Sequence, residues 1–209
     1  MEIDIKSIAF GEAKSYKFGQ KEFESAYKKD NFVNEVFVNR LGLVGDFQVD
    51  KRFHGGEDKA IHIGSYKHLA DNKDFDQLSI GANILIDEIK EDEIYIGDIY
   101  KIGEVRVEVT QPRQPCWKIA ALFSKEVKRY IVKHNATGWY VRVLQEGKIK
   151  LEDKMILEKR VSNLTIKDLS DYLKVPPSDK RIIEEILNLE SLAKSYKDDF
   201  LVTLEVNNS

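Results

Sequence analysis

The chain has 209 residues, with 33 Lys and Arg against 36 Asp and Glu, a net charge of −3 and a hydrophobic fraction of 42%. That is enough chain for one sizeable core plus a small appendage, and the charge balance excludes a whole-surface basic field for nucleic acid. No apolar run approaches the ~20 residues that cross a bilayer, and a single cysteine closes no internal disulfide and holds no iron–sulfur cluster.

The N-terminus, Met1-Glu2-Ile3-Asp4-Ile5, alternates charge with β-branched residues and lacks the basic start and apolar middle of a secretory signal. A reducing, cytoplasmic setting is therefore expected. Short β-like runs follow at Ile3 to Phe10, Glu35 to Asn39, Ala82 to Ile86, Glu93 to Ile96 and Ile99 to Ile102. Val105 to Val109 alternates cleanly after a turn at Gly103-Glu104, so one face should meet a core. Trp139 to Leu144 alternates again, Gln145-Glu146-Gly147 reads as a hairpin turn, and Met155 to Leu157 as a closing strand. Helices are expected at Ser65 to Asn72 and Ser124 to His134. In the latter, Val127, Tyr130 and Ile131 share a face while Lys125, Lys128 and Lys133 can reach water.

The character changes after Val161. Asn163 or Thr165 can cap a helix reaching about Leu173, Val175-Pro176-Pro177-Ser178 stops and restarts the chain, and helices are expected over Asp179 to Leu187 and Glu190 to Phe200. Residues 161–209 carry six basic and nine acidic residues, which accounts for the whole net charge and leaves the first 160 residues neutral. Many short strands with Gly-containing turns predict a mainly β protein with helices (α+β). The expected organisation is a β-barrel over 1–160 and a helical extension over 161–209, too short for a robust core of its own, that packs on the barrel or on a partner.

Two segments could carry chemistry. Cys116 lies in Thr110-Gln111-Pro112-Arg113-Gln114-Pro115-Cys116-Trp117-Lys118, where two prolines hold the thiol at the end of a rigid, non-helical stretch. Arg113 and Lys118 are cationic neighbours that favour thiolate, the form that attacks electrophiles or binds soft metals; the alternative is an inert cysteine packed beside Trp117. Lys51-Arg52-Phe53-His54-Gly55-Gly56-Glu57-Asp58-Lys59-Ala60 offers Gly55 and Gly56 beside Arg52, His54 and Lys59. Glycines let backbone N–H groups approach a ligand and the basic groups neutralise phosphate, although such a run is also an ordinary surface turn. The chain has no Walker loop and no G-x-G-x-x-G, so neither a nucleotide loop nor a nicotinamide unit is expected, and pyridoxal phosphate is not expected either. His62 and His68, six apart, do not read as a zinc pair, His134 reads as a helix C-terminal partner, and Asp71 to Asp76 reads as a solvated loop. Tyr100, Trp117, Trp139 and Tyr140 read as barrel core or cleft wall.

Asp50 to Ala60, Gly81-Ala82-Asn83-Ile84, Gly97-Asp98-Ile99-Tyr100, Gln111 to Cys116 and Gly138 to Val143 occur in this order. Together they resemble the MOSC domain (molybdenum cofactor sulfurase C-terminal domain), in its stand-alone bacterial YiiM-like branch, and the tail resembles that branch's three-helix extension. One position departs from the pattern: Ala82 stands where the branch commonly has Glu, which removes a carboxylate and weakens any transfer of substrate specificity. The resemblance implies a β-barrel holding a molybdopterin-type molybdenum cofactor, with Cys116 as thiolate ligand to molybdenum. It implies Arg52, His54, Gly55, Gly56, Lys59, Asn83, Gln111, Arg113 and Arg142 around the cofactor. The implied activity is two-electron N–O reduction of N-hydroxylated compounds such as hydroxylaminopurine bases; by chemistry His54 is the candidate proton donor, since imidazole titrates near neutral pH, with phosphate recognition as its alternative role. No electron-carrier signature exists in the chain, so a separate reductase, a flavoprotein, is expected as partner, and the acidic tail could serve its docking or a homodimer. No nucleic-acid polymer and no membrane is expected. Two other readings remain: a carrier bearing a persulfide on Cys116, and a cofactor-binding protein without turnover.

Overall fold

The computed structural model describes residues 1–49, 55–70, 75 and 77–207. Its strands are β1 (Glu2–Phe10), β2 (Lys14–Phe18), β3 (Lys21–Ser25), β4 (Asn31–Val33), β5 (Glu35–Asn39), β6 (Gly42–Leu43), β7 (Ile61–Ser65), β8 (Ile84–Ile86), β9 (Ile99–Ile102), β10 (Val105–Pro112), β11 (Trp139–Gln145), β12 (Gly147–Lys150) and β13 (Lys154–Lys159). Its helices are α1 (Lys67–Ala70), α2 (Gln77–Ile80), α3 (Lys118–Leu122), α4 (Lys125–His134), α5 (Ile166–Tyr172), α6 (Lys180–Asn188) and α7 (Lys194–Asn207), with one 3₁₀ turn at Glu57–Lys59.

Seven strands close into a barrel in the order β13-β9-β10-β11-β7-β8-β1, and β1 pairs back onto β13. All neighbours are antiparallel except β7 and β8, which run parallel. β4 extends the end of β1, β12-β5-β6 form a second small sheet, and β2-β3 form a separate hairpin. The alternation of Val105, Val107 and Val109 puts each of them in the core. They meet Ile61, Ile63, Trp139 and Val141 there.

Several expected elements differ. Ser65 ends strand β7 and does not open a helix; the helix begins at Lys67, and residues 71 and 72 lie outside the described set. Glu93 to Ile96 is not a strand: only Tyr95 makes an isolated bridge, to Thr165. Gln145-Glu146-Gly147 does not make a hairpin, because β12 turns away from β11 and pairs with β5. The last helix begins at Lys194, four residues after the expected start, because the chain turns at 189–193, where Leu192 N–H bonds Leu189 O.

The tail helices have clear boundaries. Thr165 caps α5 through a reciprocal box with Asp168, and Asp179 caps α6 by accepting from Arg181 N–H. Their buried residues Ile166, Leu169, Ile186, Tyr196 and Phe200 belong to the same continuous core as the barrel strands. Arg160 clamps both carboxylate oxygens of the fully buried Asp98 at 2.9 Å and stacks 3.7 Å over Tyr95, fixing the turn before β9. Among the described residues, no helix is long and apolar enough to cross a membrane.

Candidate functional site

An open cleft lies where the segment after β3, the turn before α3 and the ends of β7 and β11 converge. Cys116 lines it, half-buried, together with Arg113, Lys29, Lys59 and Lys118. Among the described residues on its wall the only carboxylate is Asp46, so the described wall is markedly cationic.

Arg113 is only 4% exposed. Its guanidinium lies 4.6 Å over the Tyr27 ring, and Nη1 donates to Tyr27 Oη at 3.0 Å and to Ile80 O at 3.4 Å. Tyr27 in turn donates to the carbonyls of Ser79 and Ile80. Burial pushes the Tyr27 phenol up to about 12, with Arg113 opposing. Burial also works against the charge of Arg113, but Tyr27, Tyr140 and Cys116 outweigh it and the net shift is upward. The guanidinium is thus a fixed positive charge in a low-dielectric wall.

Lys29 is buried and paired with Asp46 at 2.5 Å; Asp46 also accepts Gly11 N–H at 2.9 Å. Burial lowers the Lys29 pKa despite that pairing, and it lowers that of Lys59 against the pull of Asp199 and Asp58. Lys118 donates to Glu24 O at 2.9 Å, and Trp117 packs edge-on against Phe23 at 4.9 Å. The β2-β3 hairpin is thereby fastened to the cysteine turn.

His62 forms part of the floor. Its Nε2 lies 2.7 Å from Thr137 O and its Nδ1 3.0 Å from Gly81 O. Two carbonyls favour the imidazolium, but burial, followed by the charge of Arg113, pushes its pKa down to about 3. Neutral His62 therefore places its proton on Nε2, facing the shorter contact. The same peptide group that accepts this bond donates Gly138 N–H to Glu91 Oε1 at 3.0 Å, and Glu91 Oε2 meets His68 Nε2 at 2.7 Å. Gly138 O accepts Arg113 N–H at 3.0 Å. Gly138 has φ +70, and a Cβ there would run into Ile63 O and His62 Nε2, so only glycine fits between the relay and the cleft.

The residues expected from sequence fall into three groups. Cys116, Arg113, Lys59, Asn83 and Gly55 line the cleft together. The Asn83 carboxamide is engaged with backbone, accepting His62 N–H at 3.1 Å and donating to Ala9 O at 3.4 Å. Gln111, Arg142 and Gly56 are not on the cleft wall. Gln111 accepts from Ser195 Oγ at 2.8 Å and ties β10 to α7. Arg142 is divided between Asp58, Glu108 and Ser191 O, and Gly56 precedes the 3₁₀ turn, where its carbonyl accepts Lys59 N–H. Arg52 and His54 lie outside the described residues, as does most of Asp71 to Asp76. Tyr27, Lys29 and His62 were not expected in the cleft. Tyr27 is 86 residues from Arg113, and no local pattern marks such a pairing.

Among the described residues, no group of three His, Cys, Asp or Glu could hold a metal ion. Cys116 is the thiol that these described residues offer a soft metal, and the cationic wall suits a ligand that carries phosphate.

Residues 50–156 match the MOSC domain family. The chain is 29% identical over 195 residues to protein YiiM of Escherichia coli K12, covering 89% of this chain and 86% of that one. It is 28% identical over 201 residues to a protein of Gibberella moniliformis named "Reductase", covering 84% of this chain but only 36% of that longer one. The crystal structure of YiiM from Geobacillus stearothermophilus superposes with a TM-score of 0.78 at 27% identity, covering 97% of this chain and 99% of that one. A match spanning half of the sequence, on a closed barrel shared with that structure over nearly its full length, makes this chain a YiiM-like member of the MOSC domain family.

Proposed function

We propose that the protein is a reductase of N-hydroxylated compounds, with hydroxylaminopurine-type bases as the favoured substrates, working with a molybdopterin-type molybdenum cofactor. The observation that carries this reading is the pairing of the single thiol, Cys116, with the buried Arg113 in a cleft walled by lysines. Membership of the MOSC family and the fungal relative named "Reductase" support it. The overall change is R–NH–OH + 2e⁻ + 2H⁺ → R–NH₂ + H₂O. When bound, the molybdenum centre would supply the two-electron chemistry.

The chain's own residues would do the rest. Cys116 is the one soft protein ligand on the cleft wall. Arg113, Lys59 and Lys118 would neutralise the cofactor's phosphate, and Gly55, with no side chain, would leave room for its approach. Phe47 and Val49, exposed on the rim, offer apolar contact to a flat base. His62 does not serve as the acid, since both ring nitrogens face carbonyls and it is neutral at physiological pH. The proton for the leaving oxygen is assigned to His54. Electrons come from a separate flavoprotein.

The test is purification under anaerobic, reducing conditions, followed by elemental analysis for molybdenum and pterin fluorescence after oxidation. Stoichiometric molybdenum that is lost in Cys116→Ser, with reduction of 6-hydroxylaminopurine by the wild type, is the expected result. Metal-free protein carrying a cyanide-labile sulfur on Cys116 would instead make it a sulfur carrier. Bound cofactor without turnover would make it a storage protein.

A further inference from the structure

Helix α4 has two unlike faces. Val127 and Ile131 turn inward and form a small core with Ile119 and Phe75, and Cys116 packs against that core. Lys125, Lys128, Arg129 and Lys133 lie at i, i+3, i+4 and i+8 on the outer face, and with Val132 and Ala120 they line a shallow open groove. None of these four cations makes an ion pair with another described residue, although the chain as a whole carries a net charge of −3. Glu126 is the one acid in the helix. Val132, 38% exposed, gives the stripe an apolar centre. A single-sign stripe with an apolar middle on a neutral-to-acidic protein is the complement of an acidic protein surface.

We propose that this outer face of α4 is the docking surface for an acidic, electron-carrying flavoprotein, which approaches Cys116 from behind through one helix and not through the cleft mouth. The proposal rests on the reductase reading for the partner's role. The inner side of α4 already touches the core on which Cys116 packs, so a partner seated on the outer side sits about one helix diameter, ~10 Å, from that core. The cleft mouth then stays open for substrate while the donor is bound. An acidic protein is favoured over nucleic acid because the stripe spans only the two and a half turns of a ten-residue helix and exposes no aromatic ring for base stacking.

The test uses the full-length holoprotein, a reduced flavodoxin as the acidic probe, and reduced viologen as a small donor that needs no docking. Lys128→Glu/Arg129→Glu is compared with wild type and with a control reversal at Lys180 on α6. At about 20 mM salt, kcat/KM for flavodoxin should fall about tenfold or more in the α4 variant and stay unchanged in the control. Viologen-driven turnover should stay within about twofold, and the wild-type advantage should vanish near 300 mM salt. Direct binding, read by fluorescence anisotropy of labelled flavodoxin, should follow the same order. If wild type does not turn over even with viologen, the reductase reading fails, and the anisotropy alone decides the docking face. Unchanged flavodoxin binding in the variant, no binding by wild type, or tighter binding of RNA or anionic vesicles than of flavodoxin overturns the proposal. Lys125→Ala/Lys133→Ala, a milder pair, stands in if the reversal melts early.

Discussion

Two buried side chains that never reach solvent hold the cleft floor in shape. Glu91 is 3% exposed, and its two oxygens connect His68 to the peptide group that binds His62. A carboxylate bonded to a peptide N–H polarises that peptide and strengthens the bond its carbonyl accepts, so Glu91 acts on His62 without touching it. Removing one partner of such a buried pair leaves the other uncompensated. Glu91→Ala should therefore cost about 1–3 kcal/mol for each buried donor it leaves unpaired in urea melts, and it should speed alkylation of Cys116, the only thiol, by loosening the Gly138–Arg113 contact. A cost below about 1 kcal/mol would show that His68 and Gly138 find other partners.

His62 itself makes a pH prediction. Its folded pKa is about 3, below the ordinary 6.5, because of burial and then Arg113. Between those values the unfolded chain binds a proton that the folded chain refuses, so stability falls as the pH drops. The contribution is fully present above about 6.5 and is lost progressively toward 3. Urea stability measured at about pH 7.5 and pH 4.5 should fall more steeply for wild type than for His62→Gln. Equal slopes would mean that the imidazole is already protonated in the folded state.

At the scale of elements, caps and register decide what the chain becomes. Thr165 and Asp168 satisfy each other's backbone N–H groups at the start of α5, which sits directly on the barrel. Thr165→Ala should cost about 1 kcal/mol, which for a chain of this size is about 2–4 °C in Tm by differential scanning calorimetry. The sequence narrowed that cap to Asn163 or Thr165, and the alternation of Val105 to Val109 and the Asp179 start of α6 were legible outright, because a single local rule governs each. β7 was not. Ile61, His62, Ile63, Gly64 and Ser65 are all buried, so no alternation marks them, and parallel pairing with β8 is what makes a strand of them. β2 and β3 escaped for the opposite reason: Lys14 to Ser25 is charged on both faces, and pairing with its own partner strand is what orders it. At the site, Cys116 and Arg113 could be singled out because they share one short motif. Tyr27, Lys29 and His62 could not, since chain reversals across the barrel bring them there. The same limit explains Gln111, which shares the motif but points its carboxamide to α7.

The barrel and the tail helices share one core, and a smaller one lies under α4. Tyr196 and Phe200 of α7 are fully buried in the same cluster as Tyr100 of β9 and Trp139 of β11. Tyr196 Oη bonds Leu169 O at 2.8 Å, Ala193 N–H bonds Thr110 O of β10, and Gln114, two residues before Cys116, holds Asp199 at 2.9 Å. The acidic tail is therefore joined to the strand that leads into the cysteine turn, and the two parts should melt together. Trp139, wholly buried in the barrel, and Trp117, 39% exposed at the cleft, report the barrel by fluorescence, whereas far-UV circular dichroism near 222 nm reports the helices, α7 being the longest among the described residues. In urea the two signals should share one midpoint. Phe200→Ala opens a cavity at the joint, should cost about 3–5 kcal/mol, and should move both midpoints by the same amount. A helical signal that moves while the Trp signal stays would mean that the tail folds and unfolds on its own, and that the Gln114–Asp199 contact plays no part in holding the cysteine turn.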